Sequence, residues 1–251
     1  MPLYLIGLGL NDEYDITLQG MEKAMSCDFL YMENYTALMN TTKEKLGDSL
    51  GKEIRIVGRE FVEDAKALLE QAKSHAVGLL VAGDPLAATT HMELVLEARK
   101  QGIAVEIFHN ASVLTAVAQT GLQLYKFGKV TSIPLWEGSH RPTSFYDVLA
   151  ENQGIGAHTL FLLDLKPEEG KFLRIPQALE MLEEAEKQHK KGLIKDTTLA
   201  LACARLAAPG QLIKPGKISQ LKKMDFGEGM QCLIIPGKLH FKEEEAIALW
   251  N

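Results

Sequence analysis

Short apolar segments alternate with amphipathic segments along the first half of the chain, and this alternation constrains the fold most. Leu3–Gly9 is almost continuously apolar, whereas Glu60–Lys73 carries its apolar residues three and four positions apart. The first pattern is typical of a strand covered on both faces, and the second of a helix with one buried face. Strands that alternate with helices form a mostly parallel sheet flanked by helices. We therefore predict an α/β fold for this half.

Five strands and five helices are predicted in this first half. The predicted strands are Leu3–Gly9, Phe29–Glu33, Glu53–Val57, Val77–Ala82 and Ala104–Phe108. The predicted helices are Leu18–Ser26 with Thr17 as its N-cap, Thr41–Leu50, Glu60–Lys73, a segment from about Thr90 to Gln101, and Ala111–Ala118.

The second half has strands that lie closer together, which predicts a mixed sheet with helices. Its predicted strands are Lys129–Leu135, His158–Leu165, Thr197–Ala204 and Gln231–Ile235, and its predicted helices are Thr143–Asn152, Ile175–Lys187 and Phe241–Leu249. The last two strands follow one another, with Lys214–Gly216 between them. We expect two α/β domains, 1–115 and 116–251, with the boundary inside Thr115–Gly128.

Charge and cysteine content exclude several classes of function. The chain has 27 basic and 33 acidic residues, a net charge of −6, which argues against broad, sequence-independent nucleic-acid binding. Its three cysteines are far apart and form no CxxC pair, so neither a zinc site nor a disulfide framework is expected. Reduced thiols, a first segment without a basic leader and the lack of a long apolar run predict a soluble, cytoplasmic protein with no membrane association.

Two glycine-rich turns follow predicted strands, GLGL at Gly7–Leu10 and GDPLA at Gly83–Ala87. Ligands of open parallel sheets gather at such strand ends. A dinucleotide fingerprint would need glycine at position 12, where this chain has Asp12, and no phosphate-loop motif is present. A cationic ligand without phosphate, such as S-adenosylmethionine, fits better, with Asp84 complementing its charge. The alternative is that the glycines only allow close packing and Asp84 only caps its turn.

Several motifs resemble the tetrapyrrole methylase superfamily. YLIGLGL, GDPLAATTH and HNASVLTAV carry the general resemblance. More selective are ENYTALM, GLQLYKFGK, RPTSFYDVL, HTLFLLDLK and LIIPGKLH, which are similar to the branch that forms diphthine on translation elongation factor 2. The resemblance covers essentially the whole chain.

This resemblance implies a two-domain methyltransferase, usually a homodimer, with its cofactor in a cleft between the domains. S-adenosylmethionine would donate methyl groups, S-adenosylhomocysteine would be released, and no metal would take part. The acceptor would be the amino group of a 3-amino-3-carboxypropyl unit on a histidine of elongation factor 2, on the route to diphthamide. Two alternatives stay open: a precorrin or cobalt-precorrin methyltransferase of cobalamin biosynthesis, which the PTSFYD and YKFGK stretches disfavour, and a non-catalytic binding protein with the same fold.

The resemblance also implies a set of cofactor-binding residues, several of which would act through main-chain atoms. They are Leu10, Asp84, Ala87, Ser112, Val113, Leu163, Leu206 and Gln231. The acceptor amine must lose a proton before it attacks, and no side chain is singled out as the proton acceptor. The candidates are Glu33, Tyr35, His91, Tyr146 and Asp147, and Arg141 is the candidate partner for the carboxylate of the acceptor. For each of these six a purely structural role is the alternative.

Overall fold

A computed structural model describes residues 2–250, which form two compact units. Unit 1 is Met1–Thr115 and unit 2 is Ala116–Asn251. Each unit has its own five-stranded sheet with helices packed against it, and unit 2 adds a two-stranded hairpin. The predicted α/β class is confirmed.

Unit 1 is built on a fully parallel sheet, as the sequence predicts. Its strands are β1 (Leu3–Gly7), β2 (Phe29–Glu33), β3 (Ile54–Val57), β4 (Val77–Val81) and β5 (Val105–Phe108), in the spatial order β3-β2-β4-β1-β5. Its helices are α1 (Leu18–Ser26), α2 (Lys43–Leu50), α3 (Arg59–Asp64), α4 (Lys66–Ala72), α5 (His91–Lys100) and α6 (Val113–Ala116).

Both faces of this sheet are covered, which explains why its strands are apolar throughout. All five residues of β1 are buried. One face packs on α4 and α5 through residues such as Leu68 and Leu94, and the other packs on α1 and α2 through residues such as Ala24 and Leu46. The sheet therefore leaves only its ends free for function.

The predicted helix Glu60–Lys73 is wrong in one respect, because the structure has two helices there. α3 ends and α4 begins at Ala65, which is buried and has a φ of 57° in the left-handed region. An alanine rarely adopts this conformation, so the apolar spacing alone predicts an uninterrupted helix. The side chain of Ala65 is buried in the core of unit 1 together with Leu68 and Leu69 of α4.

Unit 2 has the predicted mixed sheet. Its strands are β6 (Thr131–Ile133), β7 (Thr159–Leu163), β8 (Leu165–Lys166), β9 (Lys171–Phe172), β10 (Leu199–Ala204), β11 (Leu212–Lys217) and β12 (Gln231–Ile235). The main sheet has the order β11-β10-β12-β7-β6, in which only the β6–β7 pair is parallel, and β8 pairs with β9. The helices are α7 (Ser144–Gly154), α8 (Ile175–His189), α9 (Ile218–Leu221) and α10 (Phe241–Ala248).

The strand β11 is absent from the sequence prediction, which has only a break at Lys214–Gly216. Pro215 lies inside this strand and pairs in register with Leu201 of β10. A proline is tolerated there because β11 forms the edge of the sheet, where one side of the strand needs no ladder hydrogen bonds. None of the helices within residues 2–250 combines the length and apolarity needed to cross a membrane.

Candidate active site

The two glycine turns are joined to each other at the carboxyl ends of the neighbouring strands β1 and β4. The Gly9 N–H donates to the Gly83 carbonyl at 3.2 Å, and the Gly83 N–H donates to the Gly9 carbonyl at 2.7 Å. Both residues have positive φ, 82° and 74°, which glycine adopts without strain. The GLGL and GDPLA turns are thus hydrogen-bonded to each other at the carboxyl end of the sheet, which is called the sheet edge below.

Asp84 links this structure to the segment that follows β5. One carboxylate oxygen accepts the Leu86 N–H at 2.9 Å, so the carboxylate does cap its own turn. The other accepts the Asn110 N–H at 3.1 Å and the Nδ1–H of His109 at 2.7 Å. Burial alone would raise the pKa of Asp84, but these hydrogen bonds together lower it below its ordinary value. Asp84 therefore keeps a negative charge at the sheet edge.

Asn110 connects a third segment to the same edge. Its Nδ2 donates to the Gly7 carbonyl at 2.9 Å and to the Asp15 carbonyl at 3.0 Å. Gly7 itself must be glycine, because a Cβ there would lie 2.7 Å from the Gly83 carbonyl oxygen and 2.8 Å from the Asn110 Cβ. His109 and Asn110 are not among the site residues predicted from the sequence. The available signal was a polar pair directly after a strand of a parallel sheet.

The loop after β1 is filled by one of its own side chains. A carboxylate oxygen of Asp15 accepts the N–H of Leu10 at 3.0 Å and the N–H of Asn11 at 2.8 Å. Gly9 leaves room for this arrangement, since a Cβ at position 9 would lie 2.5 Å from the Asp15 Cβ. These two amides are therefore engaged within the loop by a side chain of the same loop.

The remaining cofactor candidates of unit 1 lie on the same loops. The Ala87 N–H donates to the Asp84 carbonyl at 3.2 Å, and Ser112 Oγ accepts the Leu114 N–H at 3.1 Å where α6 begins. The structure thus places four predicted residues on the loops that follow β1, β4 and β5, and a fifth, Val113, at the start of α6 directly after the third loop; the four are Leu10, Asp84, Ala87 and Ser112.

The three cofactor candidates of unit 2 also share one sheet edge. Leu163 ends β7 and Gln231 begins β12, and the antiparallel register of Leu162 with Cys232 brings these two residues side by side. Gln231 pairs in turn with Ala204, two residues before Leu206. The Gln231 side chain is engaged internally, because it accepts the Ile175 N–H and donates to the Gly227 carbonyl.

Arg205, which the sequence analysis does not single out, holds the segment around Leu206. Its φ is 52°, and its guanidinium donates to the carbonyls of Gly210 at 2.9 Å and Phe226 at 2.7 Å. This anchor has no motif in the sequence, because its acceptors are main-chain carbonyls, one of them 21 positions away. Its effect is to fix the turn that follows β10.

Three of the six catalytic candidates form a connected group in unit 1. Glu33 is fully buried and accepts the N–H groups of Tyr35 and Thr36, both at 3.0 Å. The Tyr35 hydroxyl lies 3.3 Å from Nε2 of His91, and Nδ1 of His91 lies 3.0 Å from the Pro85 carbonyl. Since a carbonyl only accepts, Nδ1 carries the ring proton and Nε2 accepts from Tyr35. Burial raises the pKa of Tyr35, so its hydroxyl stays protonated.

The other three candidates lie in unit 2, and each contacts a neighbouring side chain. Tyr146 is fully buried, its ring stacks on His189 and its hydroxyl donates to Glu186. Asp147 is exposed, with an oxygen 3.2 Å from the Lys191 ammonium. The Arg141 guanidinium lies 5.4 Å from the centre of the half-buried Trp136 ring. Within residues 2–250, no group of three or more histidine, cysteine, aspartate or glutamate side chains could hold a metal ion.

Comparison with known proteins agrees with these features. The family described as Tetrapyrrole (Corrin/Porphyrin) Methylases matches residues 2–222. Diphthine synthases from Methanocaldococcus jannaschii and Methanococcus vannielii are each 45% identical to this chain, and each match covers 98% of this chain and 97% of the relative. A crystal structure of a diphthine synthase superimposes with a TM-score of 0.91 at 35% identity, covering 100% of this chain and 96% of the other.

These similarities extend over nearly the full length of both chains, so the predicted family is confirmed along with the fold. The chain therefore belongs to the tetrapyrrole methylase family, and within it to the diphthine synthases, which makes it an S-adenosylmethionine-dependent methyltransferase.

Proposed function

We propose that this enzyme methylates the amino group of a 3-amino-3-carboxypropyl unit carried by a histidine of elongation factor 2, in diphthamide biosynthesis. The observation that supports this most is the 45% identity to proteins named diphthine synthase over 98% of the chain. A match restricted to the shared glycine turns would indicate membership of the superfamily but not of this branch. Here the similarity also includes the segments, such as Arg141–Leu149, that are selective for this branch.

The cofactor site in unit 1 is proposed to be the sheet edge formed by the loops after β1, β4 and β5. S-adenosylmethionine would supply an already activated methyl group on a positively charged sulfur. The edge suits such a ligand, because Asp84 is kept ionised and the amides of Leu10 and Asn11 are engaged by Asp15 rather than open to a phosphate. Leu10, Ala87, Ser112 and Val113 would contact it largely through main-chain atoms. For unit 2, Leu163, Leu206 and Gln231 remain predicted contacts.

In the proposed reaction the protein orients the acceptor amine and accepts the proton that this amine loses. Orientation and the exclusion of water contribute most to such a transfer, because the methyl donor is activated beforehand. Among the proton-acceptor candidates we favour the Tyr35–His91 pair, because His91 is bonded to Pro85 within the GDPLA turn. The Tyr35 oxygen would receive the proton of the amine while the hydroxyl proton of Tyr35 passes to Nε2 of His91. Glu33 supports this pair by bonding the Tyr35 N–H. Arg141 is proposed as the partner of the acceptor carboxylate, since guanidinium binds carboxylate with two hydrogen bonds.

We also propose that the enzyme acts as a homodimer in the cytoplasm, where elongation factor 2 works. Elongation factor 2 is the proposed protein partner, and direct nucleic-acid binding is not expected from a net charge of −6. Sedimentation equilibrium of the purified chain tests the oligomeric state. A single species with the mass of one chain over the accessible concentrations would contradict the dimer.

The test of the function is a transfer assay with methyl-labelled S-adenosylmethionine. The substrate is elongation factor 2 whose histidine carries the 3-amino-3-carboxypropyl unit. The matched control is the same factor from cells that cannot attach this unit. We expect label on the first factor and none on the second.

Two other results would contradict the proposal. Transfer of label to a precorrin, with none to either factor, would favour the cobalamin-pathway alternative. Binding of S-adenosylmethionine without transfer to any of these acceptors would favour a non-catalytic binding protein.

A further inference from the structure

The carboxylate of Asp15 accepts two consecutive main-chain N–H groups of its own loop. Consecutive main-chain N–H groups that converge on one point form an anion-binding concavity. In this loop the N–H groups of Leu10 and Asn11 converge on a single oxygen of Asp15, at 3.0 and 2.8 Å. The loop therefore has the geometry of an anion site, but its anion is part of the chain.

Asp15 is also held in place by bonds that do not involve its carboxylate. Its N–H donates to the Asp12 carbonyl at 3.2 Å, and its carbonyl accepts the Asn110 Nδ2 at 3.0 Å. Asn110 holds the Gly7 carbonyl with the same nitrogen. The backbone of Asp15 is thus held by bonds to Asp12 and Asn110. These bonds position the carboxylate next to the two amides independently of its charge.

From this geometry we propose that Asp15 is a specificity-determining residue of the methyl-donor site. Its carboxylate accepts the hydrogen bonds of the two amides, so these amides cannot bind the phosphate of a nucleotide. Its negative charge favours a cationic donor. This inference rests on the proposed use of the sheet edge by S-adenosylmethionine. In this proposal a single side chain, Asp15, makes the site select cationic over anionic adenosine ligands. The sequence pattern after GLGL does not identify that side chain.

The test measures the affinity of purified protein for three adenosine ligands by calorimetry: S-adenosylmethionine, S-adenosylhomocysteine and ADP. S-adenosylhomocysteine lacks the sulfonium charge and so reports on the shape of the site. Asp15→Ala empties the two amides, whereas Asp15→Asn removes the charge and keeps an oxygen that can accept their hydrogen bonds. Asp12→Asn is the matched control, because it removes the same charge and leaves the Asp15 bonds in place.

We expect Asp15→Ala to bind ADP about tenfold more tightly than the wild type. Without the Asp15 carboxylate, the two main-chain N–H groups are free to donate hydrogen bonds to a phosphate of ADP. We expect Asp15→Asn to lose affinity for S-adenosylmethionine by about fivefold more than for S-adenosylhomocysteine, because only the former carries the charge. Asp12→Asn should leave ADP binding at the wild-type level.

Each failure has a distinct meaning. If Asp15→Ala gains no affinity for ADP, or if Asp15→Asn weakens both adenosine ligands equally, Asp15 only shapes the loop and the inference is overturned. If the wild-type protein itself does not bind S-adenosylmethionine, the proposed cofactor site fails before Asp15 is tested. Thermal unfolding of each variant identifies a misfolded protein, and Asp15→Asn serves as the informative variant if Asp15→Ala does not fold.

Discussion

The two units place their candidate residues at sheet edges of different kinds. In unit 1 all strands are parallel, so the loops after β1, β4 and β5 lie at one edge, and Asp84 and Asn110 bond across them. In unit 2 the edge combines the end of β7 with the start of β12, and the Gln231 side chain is engaged in holding neighbouring segments. A parallel sheet brings the loops that follow its strands to the same end, which makes its functional end easier to predict from sequence.

The units also differ in where they bury charge. The most buried charged cluster of unit 2 surrounds Glu243, which is 0% exposed. This carboxylate accepts hydrogen bonds from the Lys126 ammonium, the His158 ring and the Gln123 N–H. Burial alone would raise the pKa of Glu243, but these bonds and one from the His240 N–H lower it to about 2. We infer that unit 2 uses this cluster for stability, whereas unit 1 uses its polar groups to shape the candidate site.

The largest effect is expected from Glu243→Ala. The substitution leaves the Lys126 ammonium and the His158 ring without their buried acceptor, so we expect the free energy of unfolding to fall by about 4 kcal/mol. Glu244→Ala, at the neighbouring exposed position, is the control and should change it little. Urea unfolding followed by circular dichroism measures both. Equal effects of the two substitutions would contradict a stabilising role of the buried Glu243 cluster.

A second large effect is expected from Gly7→Ala in unit 1. The added methyl group would lie 2.7 Å from the Gly83 carbonyl oxygen, and this backbone atom cannot move without breaking the joined turns. We expect a loss of about 2 kcal/mol in stability together with loss of S-adenosylmethionine binding. Gly58→Ala is the matched control, since nothing lies within 4 Å of a Cβ there. Undiminished binding in Gly7→Ala, measured by calorimetry, would argue against this edge as the site.

Acid should weaken the protein through the Glu243 cluster. The pKa of Glu243 falls from its ordinary 4.5 to about 2 on folding, so the unfolded chain binds more protons between these values. Burial lowers the pKa of His158 below its ordinary 6.5, which has the same sign. Stability is therefore complete above about pH 6.5 and declines as the pH falls. Denaturant unfolding from pH 7 to pH 3 should show a steeper decline for wild type than for Glu243→Gln. Parallel declines would contradict the assignment.

A moderate effect on binding is expected from Asp84→Ala. The carboxylate accepts three hydrogen bonds and holds the negative charge of the edge, so its removal should weaken S-adenosylmethionine binding about tenfold while the protein stays folded. His109→Ala, which removes one exposed donor to Asp84, should have a smaller effect. Calorimetry with both variants provides the comparison. Unchanged affinity in Asp84→Ala would reject its proposed role.

The smallest effect is expected from a pair of tyrosine variants, one in each unit. Tyr35→Phe removes the hydroxyl that bonds His91, and Tyr146→Phe removes the hydroxyl that bonds Glu186. Each should lower stability by about 1 kcal/mol. Only Tyr35→Phe should also lower kcat in the transfer assay, because its partner contacts the GDPLA turn. A lower kcat in Tyr146→Phe alone would place the proton acceptor in unit 2.

Much of unit 1 could be predicted from the sequence because its signals are local. The apolar run of β2 and the capped start of α1 predict the observed bounds, Phe29–Glu33 and Leu18–Ser26. The features that the sequence pattern does not predict depend on tertiary contacts. The left-handed conformation of Ala65 has no signal in the apolar spacing, and the proline in β11 is acceptable because this strand lies at an edge of the sheet.

The candidate site shows the same division. The glycine turns and Asp84 are predictable, because turn residues after apolar strands mark the functional edge of a parallel sheet. The bonds that give the edge its shape are not, since Asn110 reaches Gly7 across 103 positions and the Asp15 carboxylate turns back onto its own loop. Sequence spacing identifies which loops meet, and the structure identifies which side chains join them.

The most direct test of the account is a crystal structure of the protein with S-adenosylhomocysteine. We expect the ligand to contact the loops after β1, β4 and β5, with atoms within hydrogen-bond or van der Waals distance of Leu10, the Asp84–Ala87 turn and Ser112, while Asp15 stays bonded to its two amides. A ligand bound with no contact to these loops would contradict the proposed site.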